Sequence, residues 1–405
     1  MVGALRLPLP ASTSPQPLQF EQQPQVWWDT LLSLLDRFIP SLPTCPIETI
    51  TVDGTSGTLL LANQQGDPLT PALMYNDSRA QPEAHTIATA APAESGAHGA
   101  NASLAKLLHL LDVRTTEQAH VLALHQADWI NGKLTGKFGW SDENNALKMG
   151  YDPIQRCWPD WMETLAIASS ILPDVVPAGS AMAPLHPDLC RRWSLTTPPT
   201  LCAGTTDSVA ATLATGITSP GDAVTSLGTT LVLKILANRP LFAPEFGIYS
   251  HRLGEQWLIS GASNAGGGIL LDHFTVEALQ ALGKQIDPNH PTGLDYYPLP
   301  SVGERFPIAD PTLAPRLTPR PEQPHHFLQA LLEGLTAIEQ QGYRQMIALG
   351  APVPNRILTT GGGIQNQGWM RLRTHHLPWP IETAATIEAA YGAALLGYQH
   401  AHHSE

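Results

Sequence analysis

Gly204-Thr205-Thr206-Asp207-Ser208 places a carboxylate where an amphipathic helix is expected to begin, with apolar Val209 and Leu213 one turn apart behind it. At a helix start the amides and dipole keep a carboxylate ionised near neutral pH, so Asp207 suits the task of accepting a proton from a hydroxyl. The same residue types make an ordinary N-cap, and the local sequence leaves both readings open. Next comes Gly221-Asp222-Ala223-Val224-Thr225-Ser226-Leu227-Gly228-Thr229-Thr230, two short strands joined through glycine and hydroxyls. Glycine at 228 lets the backbone N–H groups of 228 to 230 line a concavity the size of a phosphate. A hydroxyl-activating base beside a phosphate cradle is the equipment of phosphoryl transfer.

A third cluster, Gly361-Gly362-Gly363, lies between a strand at 356–359 and a helix that starts near Trp369. Its lack of side chains allows a flat ligand to approach the backbone, with Asn366 offering polar contacts to an adenine or ribose; a plain βα turn would use the same residues. The segment carries neither the Gly-Lys-Ser/Thr of a P-loop nor GxGxxG spacing. Asn76-Asp77-Ser78-Arg79 is dense in hydrogen-bonding groups and could grip the hydroxyls of a sugar or close a salt bridge in a polar turn. His98, Lys106, Trp129, Asn144 and Asn145 are weaker candidates, more in keeping with structural roles.

The elements that must position these groups follow from periodicity. Trp28, Leu31, Leu32, Leu35 and Phe38 predict a helix, and 47–52 and 58–62 predict two strands joined as a hairpin through Asp53-Gly54-Thr55-Ser56-Gly57. Ser103 is expected to cap a helix bearing Leu104, Leu107, Leu108 and Leu111, and another helix is expected from His120 to Asn131. The proline-rich stretch 290–325 reads as a surface excursion before a long helix carrying Phe327 to Ile338. Ala389 to Leu396 reads as a closing helix of small residues.

Bulk properties limit the alternatives. A chain of 405 residues, 43% hydrophobic, is expected to form two domains. A formal charge of -13 opposes nonspecific binding to nucleic acid or anionic lipid. Cys45, Cys157, Cys190 and Cys202 are widely spaced, without a zinc-ligand pattern, and the 16 histidines show no HxxxH grouping, so no protein-held metal is expected. No apolar run approaches the ~20 residues that span a bilayer. The expected setting is the cytoplasm, and the expected partner a small molecule bound by a monomer or homodimer, without nucleic acid or membrane.

Taken together the motifs resemble those of the FGGY carbohydrate kinases, most closely the D-ribulose/xylulose kinase-like branch of cyanobacteria and plants. The resemblance spans roughly 20–400 and rests on Val52 to Thr58, Ala72 to Ala80, Trp129 to Pro153 with Ser141-Asp142-Glu143-Asn144-Asn145, Gly204 to Ser208, Gly221 to Thr230, Tyr249-Ser250-His251-Arg252 and Thr359 to Gly363. It implies an α/β fold of duplicated ribonuclease H-like domains of the actin/hexokinase ATPase type around a central cleft, divided as 1–203 for sugar and 204–405 for ATP. It implies ATP and Mg2+ as cofactors and a terminal hydroxyl of a ketopentose, D-ribulose or D-xylulose, as acceptor. By the same resemblance Asp207 is the catalytic base and Asn76 and Asp77 lie beside the sugar. Gly228, Thr229, Thr230, Gly266, Gly267, Gly268, Gly361, Gly362, Gly363 and Asn366 surround the nucleotide. Members open with a strand ending in Asp-Phe-Gly-Thr-Ser; no such segment precedes the helix at 27, so the first phosphate motif is expected to be missing and turnover reduced. Asp53 is not assigned that role.

Overall fold

The computed structural model describes residues 3–43, 46–113 and 121–403. They form two compact units, Met1–Ala214 with Glu388–Glu405, and Thr215–Ile387. The boundary thus lies after the helix that follows Gly204, not at residue 204, and the closing helix returns to the first unit.

In chain order the first unit contains β1 (Glu21–Gln22), α1 (Pro24–Phe38), β2 (Thr49–Gly54), β3 (Leu59–Asn63), β4 (Ala72–Leu73), α2 (Gln81–Ala90), α3 (Ser103–Asp112), β5 (Val121–His125) and α4 (Gln126–Thr135). These are followed by β6 (Trp140–Asp142), α5 (Glu143–Ala146), β7 (Asp174–Val176), β8 (Ala181–Pro184), α6 (Pro187–Arg192), β9 (Thr200–Thr206) and α7 (Asp207–Ala214). One sheet has the order β1-β4-β3-β5, a second β2-β9-β8, and β6 pairs with β7. The expected hairpin of 47–62 is therefore not formed: β2 runs parallel to β9 while β3 joins β4 and β5. Leu59, Leu60 and Leu61 are fully buried, so β3 is apolar on both faces and belongs inside a layered core rather than on a two-stranded ribbon. The helix expected from His120 begins at a residue outside those described, and Val121–His125 is a strand whose end caps α4 through His125 and Asp128. Ser103 is the first helical residue of α3 rather than its cap, and its hydroxyl meets His125 Nε2 at 3.1 Å.

The second unit contains β10 (Asp222–Leu227), β11 (Leu231–Ala237), β12 (Ile248–Leu253), β13 (Gln256–Ala262), α8 (Gly268–Leu271), α9 (Val276–Gly283), α10 (Pro324–Ala348), β14 (Arg356–Thr360), α11 (Gln367–His376) and β15 (Ile381–Thr383). Its sheet has the order β12-β13-β11-β10-β14-β15, antiparallel from β12 to β10 and parallel from β10 to β15. The stretch 290–325 is no surface excursion: Tyr296, Tyr297, Leu299 and Phe306 are buried in the same core as α10. Beneath the sheet Arg373 makes two 2.7 Å bonds to Glu339 and one of 2.8 Å to Thr359, and Glu339 accepts from Thr225 at 2.6 Å. This fully buried pair ties β10, β14, α10 and α11 together, and both β10 and β14 lead into glycine turns.

The chain ends in α12 (Ala389–His403), which packs on α7 and β2 of the first unit. Its small residues permit this: a side chain at Gly392 would run into the Ala210 carbonyl, and one at Gly397 would lie 2.7 Å from Thr49 Oγ1.

Candidate active site

In the first unit the polar groups gather at the carboxyl end of β2 and β9. Asp53 stands opposite Thr205 and Gly54 opposite Thr206, with a bulge between Thr51 and Asp53. Gly204 makes the bulge possible, because a side chain there would collide with the Val52 carbonyl. Asp207 opens α7 immediately beyond Thr206 and accepts from the Ser208 amide at 2.6 Å. Burial, followed by the charge of Asp207, pushes the Asp53 carboxyl up to about 6. Two carboxylates therefore share one region.

Around them the support is polar and closed. Asn144 donates to Thr205 Oγ1 at 3.0 Å, and Asp142 caps α5 by accepting from the amides of Asn144 and Asn145. Thr206 Oγ1 is buried with no hydrogen-bond partner among the described residues, a donor and acceptor left for a ligand. The loop after β2 is fixed from two sides: Gln126 Oε1 accepts from the Thr55 amide at 2.9 Å, and Lys106 Nζ donates to the Gly57 carbonyl at 2.7 Å.

Asn76 and Asp77 are parted by the fold. Asn76 is exposed, whereas Asp77 is fully buried and accepts from the Phe20 amide at 2.6 Å and from the Arg79 guanidinium at 2.7 Å. Arg79 in turn holds Glu21.

In the second unit a cavity of about 480 Å3 is lined by Gly228, Thr229, Gly267, Gly268, Gly362, Gly363 and Asn366, all expected there. Thr230, Gly266 and Gly361 stand behind its wall: a side chain at Gly266 would press on the Thr229 and Thr230 backbone, and one at Gly361 (φ 88°) on that of Leu227. Gly267 and Gly268 donate to the carbonyls of Gly228 and Thr229, which seats the β10–β11 turn against α8. Asn366 Oδ1 caps α11, leaving its Nδ2 buried without a partner among the described residues, as is Trp369 Nε1. Among the described residues no acidic side chain lines this cavity, and its glycine walls and spare N–H donors fit a purine nucleotide, whose ring nitrogens and ribose oxygens accept hydrogen bonds.

The sequence profiles of the "FGGY family of carbohydrate kinases", N-terminal and C-terminal domains, match residues 4–214 and 223–400. The chain belongs to the FGGY family of carbohydrate kinases. Its two α/β units are accordingly domains of the actin/hexokinase ATPase type, and the protein is a carbohydrate kinase. Among curated relatives it is 24% identical over 402 residues to a xylulose kinase of Escherichia coli, covering 94% of this chain and 82% of that protein. It is 26% identical over 388 residues to an L-fuculokinase of Salmonella typhi, covering 88% and 78%. Among solved structures, a xylulose kinase from Rhodospirillum rubrum superposes with a TM-score of 0.85 at 22% identity, covering 98% of this chain and 84% of that one. A Plasmodium falciparum glycerol kinase with ADP superposes with a TM-score of 0.84 at 17% identity, covering 97% and 84%.

Several residues of this FGGY kinase escaped the sequence reading. Leu271, Val276 and Leu279 form an apolar side of the second-unit cavity, with the polar Gln280 beside them. In sequence they look like an ordinary amphipathic helix and its neighbour, and only the structure shows Leu271 and Val276 exposed, at 59% and 55%. Asp53 was visible in a glycine- and hydroxyl-rich loop, but nothing local to it announces Asp207 as a neighbour. Among the described residues no three His, Cys, Asp or Glu side chains cluster to hold a metal ion, and no helix is long and apolar enough to cross a membrane.

Proposed function

We propose that this kinase transfers the γ-phosphoryl group of ATP to a terminal hydroxyl of a ketopentose, D-ribulose ahead of D-xylulose. The observation that carries the reading is Asp207, an acid at the first turn of α7 directly beyond the buried strand β9, beside a second carboxylate. In this reading Asp207 accepts the proton of the acceptor hydroxyl as its oxygen bonds to the γ-phosphorus and the bond to the β–γ bridging oxygen breaks, leaving a sugar phosphate and ADP. Asn76, with Thr55 and Ser56 of the loop after β2, orients the sugar. The glycine-walled cavity of the second unit takes the adenosine, with Gly228 and Thr229 toward the phosphates. Mg2+ carried on those phosphates supplies charge neutralisation. The names of the relatives, xylulose kinases and a ribulokinase among them, support a pentulose over a hexose.

A second reading is a sugar- and nucleotide-binding protein with weak or no turnover. It is favoured by the position of β2 at the end of its sheet: among the described residues no strand lies on its far side to bring phosphate-binding groups next to Asp53. One experiment separates the two. A panel of ketoses and polyols is run with Mg-ATP for ADP release, alongside calorimetry for binding. ADP release stimulated by D-ribulose or D-xylulose supports the kinase; saturable sugar binding with ADP at background establishes the binder.

A further inference from the structure

Lys106 lies on α3 with its side chain fully enclosed. Taking an ammonium out of water costs several kcal/mol unless partners replace the hydration shell. The partners here are two neutral carbonyls, Gly57 at 2.7 Å and Met74 at 2.7 Å. Gly57 closes the loop that runs from Asp53 through Thr55 and Ser56, and Met74 immediately precedes Tyr75 and Asn76. The loop leads into β3 and Met74 follows β4; these strands pair only at Leu59 and Leu73, so the ladder stops short of the Gly57 and Met74 carbonyls that the ammonium bridges. The loop is held tightly where the ammonium grips it: Gly57 has φ 80°, and a side chain there would lie 3.0 Å from the Asn101 carbonyl. A core that needed only volume at this place would be filled better by leucine or methionine.

We propose that Lys106 is a positioning residue for sugar binding, whose ammonium clamps the Thr55–Gly57 loop to the Met74–Asn76 segment so that Thr55, Ser56 and Asn76 meet one acyclic polyhydroxy ligand together. The proposal rests on the ketose kinase reading. The clamp is charge-assisted, so losing the proton weakens both hydrogen bonds. Burial brings this ammonium down to about 7, against the pull of Asp77 and with the push of Lys148 and Arg79. On the elements packed against α3, the other charged or titratable groups are Glu83 of α2, which takes His109 at 2.9 Å, and the exposed His85. Asp53 and Asp142, both held up to about 6, titrate on the acid side of Lys106.

The fold responds to the same proton in the opposite sense. In the unfolded chain this lysine titrates near its ordinary 10.5, so between about 7 and 10.5 the unfolded state binds more protons and the contribution of Lys106 to stability rises with pH. A lysine with a purely structural task would leave sugar affinity level, or improve it, on the alkaline side. Positioning requires it to fall.

The test is calorimetry with D-ribulose and D-xylulose on the full chain from pH 6.5 to 9, with ATP titrated as a control and thermal unfolding followed at each pH. The expected result is a sugar affinity that drops roughly three- to tenfold across the range while ATP affinity and the unfolding midpoint do not drop. Lys106→Met is expected to bind sugar about tenfold more weakly at the acid end and to lose the pH dependence, with ATP affinity retained. Should that variant fail to fold, the pH series on the unaltered chain decides alone. Sugar affinity independent of pH, or a Lys106→Met protein that binds sugar as tightly as its parent, overturns the proposal. Failure of both sugars to bind the unaltered chain at any pH overturns the ketose reading and this proposal with it, a result distinct from binding that ignores pH.

Discussion

Asp53 near the end of β2 and Asp207 at the start of α7 face the same region of the first unit, and the Asp207 charge adds to burial in lifting Asp53 to about 6. The register explains the proximity: Asp53 pairs with Thr205, two residues before Asp207, and the strands run the same way. A nearby like charge disfavours the ionised form of Asp53, in the same direction as its burial. Above about pH 6 the ionised Asp53 stands in a half-buried place beside the Asp207 charge, a stored electrostatic cost.

Asp53→Asn is therefore expected to stabilise the protein at neutral pH. The folded-state value is raised from 3.8 to about 6, so the folded chain binds the extra proton between those limits and stability falls as pH rises through them. The shift corresponds to roughly 3 kcal/mol, and about 2 kcal/mol once partial exposure is allowed for. Denaturant unfolding at pH 4 and pH 8 checks this: the variant should match its parent at pH 4 and exceed it at pH 8. An equal gain at both values would show that packing, not charge, is responsible.

Asp207→Asn is expected to abolish sugar-stimulated ADP release by ~10³-fold or more while leaving ATP affinity unchanged, since the proposed base is lost and the groups proposed to hold the nucleotide lie in the other unit. The same change should move the titration of Asp53 down, because one of its two upward causes is removed. Steady-state turnover together with the pH dependence of stability tests both halves. Turnover within a few fold of the parent would remove Asp207 from the base role.

Much of the second unit was legible in sequence because its signals are local. The β10 and β11 strands, their glycine turn, α10 and β14 each show their own periodicity and breakers within a short window. The first unit was less legible because its pairings are distant. β2 and β3 are adjacent in sequence and look like a hairpin, yet β2 pairs with a strand some 150 residues on, and only the burial of Leu59 to Leu61 gives a physical reason. His125 ends a strand and caps the next helix at once, so the run carries helical composition while Val121–His125 is extended. Lys106 and Asp77 show the same limit for side chains. A polar residue in a sequence does not reveal whether it points to a ligand or to a buried carbonyl.

Asn76 and Asp77, adjacent in the chain, are expected to behave differently on substitution. Asn76→Ala should weaken sugar binding about tenfold with an unchanged melting temperature, since Asn76 is exposed. Asp77→Asn should cost about 3 kcal/mol of stability, because it leaves Arg79 facing a neutral group in a buried site. Calorimetry and thermal melts on both proteins decide it. An Asp77→Asn protein that melts with its parent and loses only sugar affinity would make Asp77 a direct ligand instead.

The glycine wall of the second unit gives the last expectation. At Gly363 an added methyl group would lie 2.6 Å from Leu227 Cβ and 2.7 Å from Trp369 Cζ3, whereas at Gly362 nothing stands within 4 Å. Gly363→Ala must therefore push apart the β10 end and α11, the two elements that frame the cavity, and destabilise the fold by about 1–3 kcal/mol. Gly362→Ala meets no protein atom, and its methyl group projects from a residue that lines the cavity. Its expected signature is a melting temperature like that of the parent with ATP affinity reduced about tenfold and sugar affinity intact. Fluorescence titration with an ATP analogue, run beside melts of both variants, checks the contrast. If Gly362→Ala binds ATP as its parent does, the nucleotide lies elsewhere than against this wall.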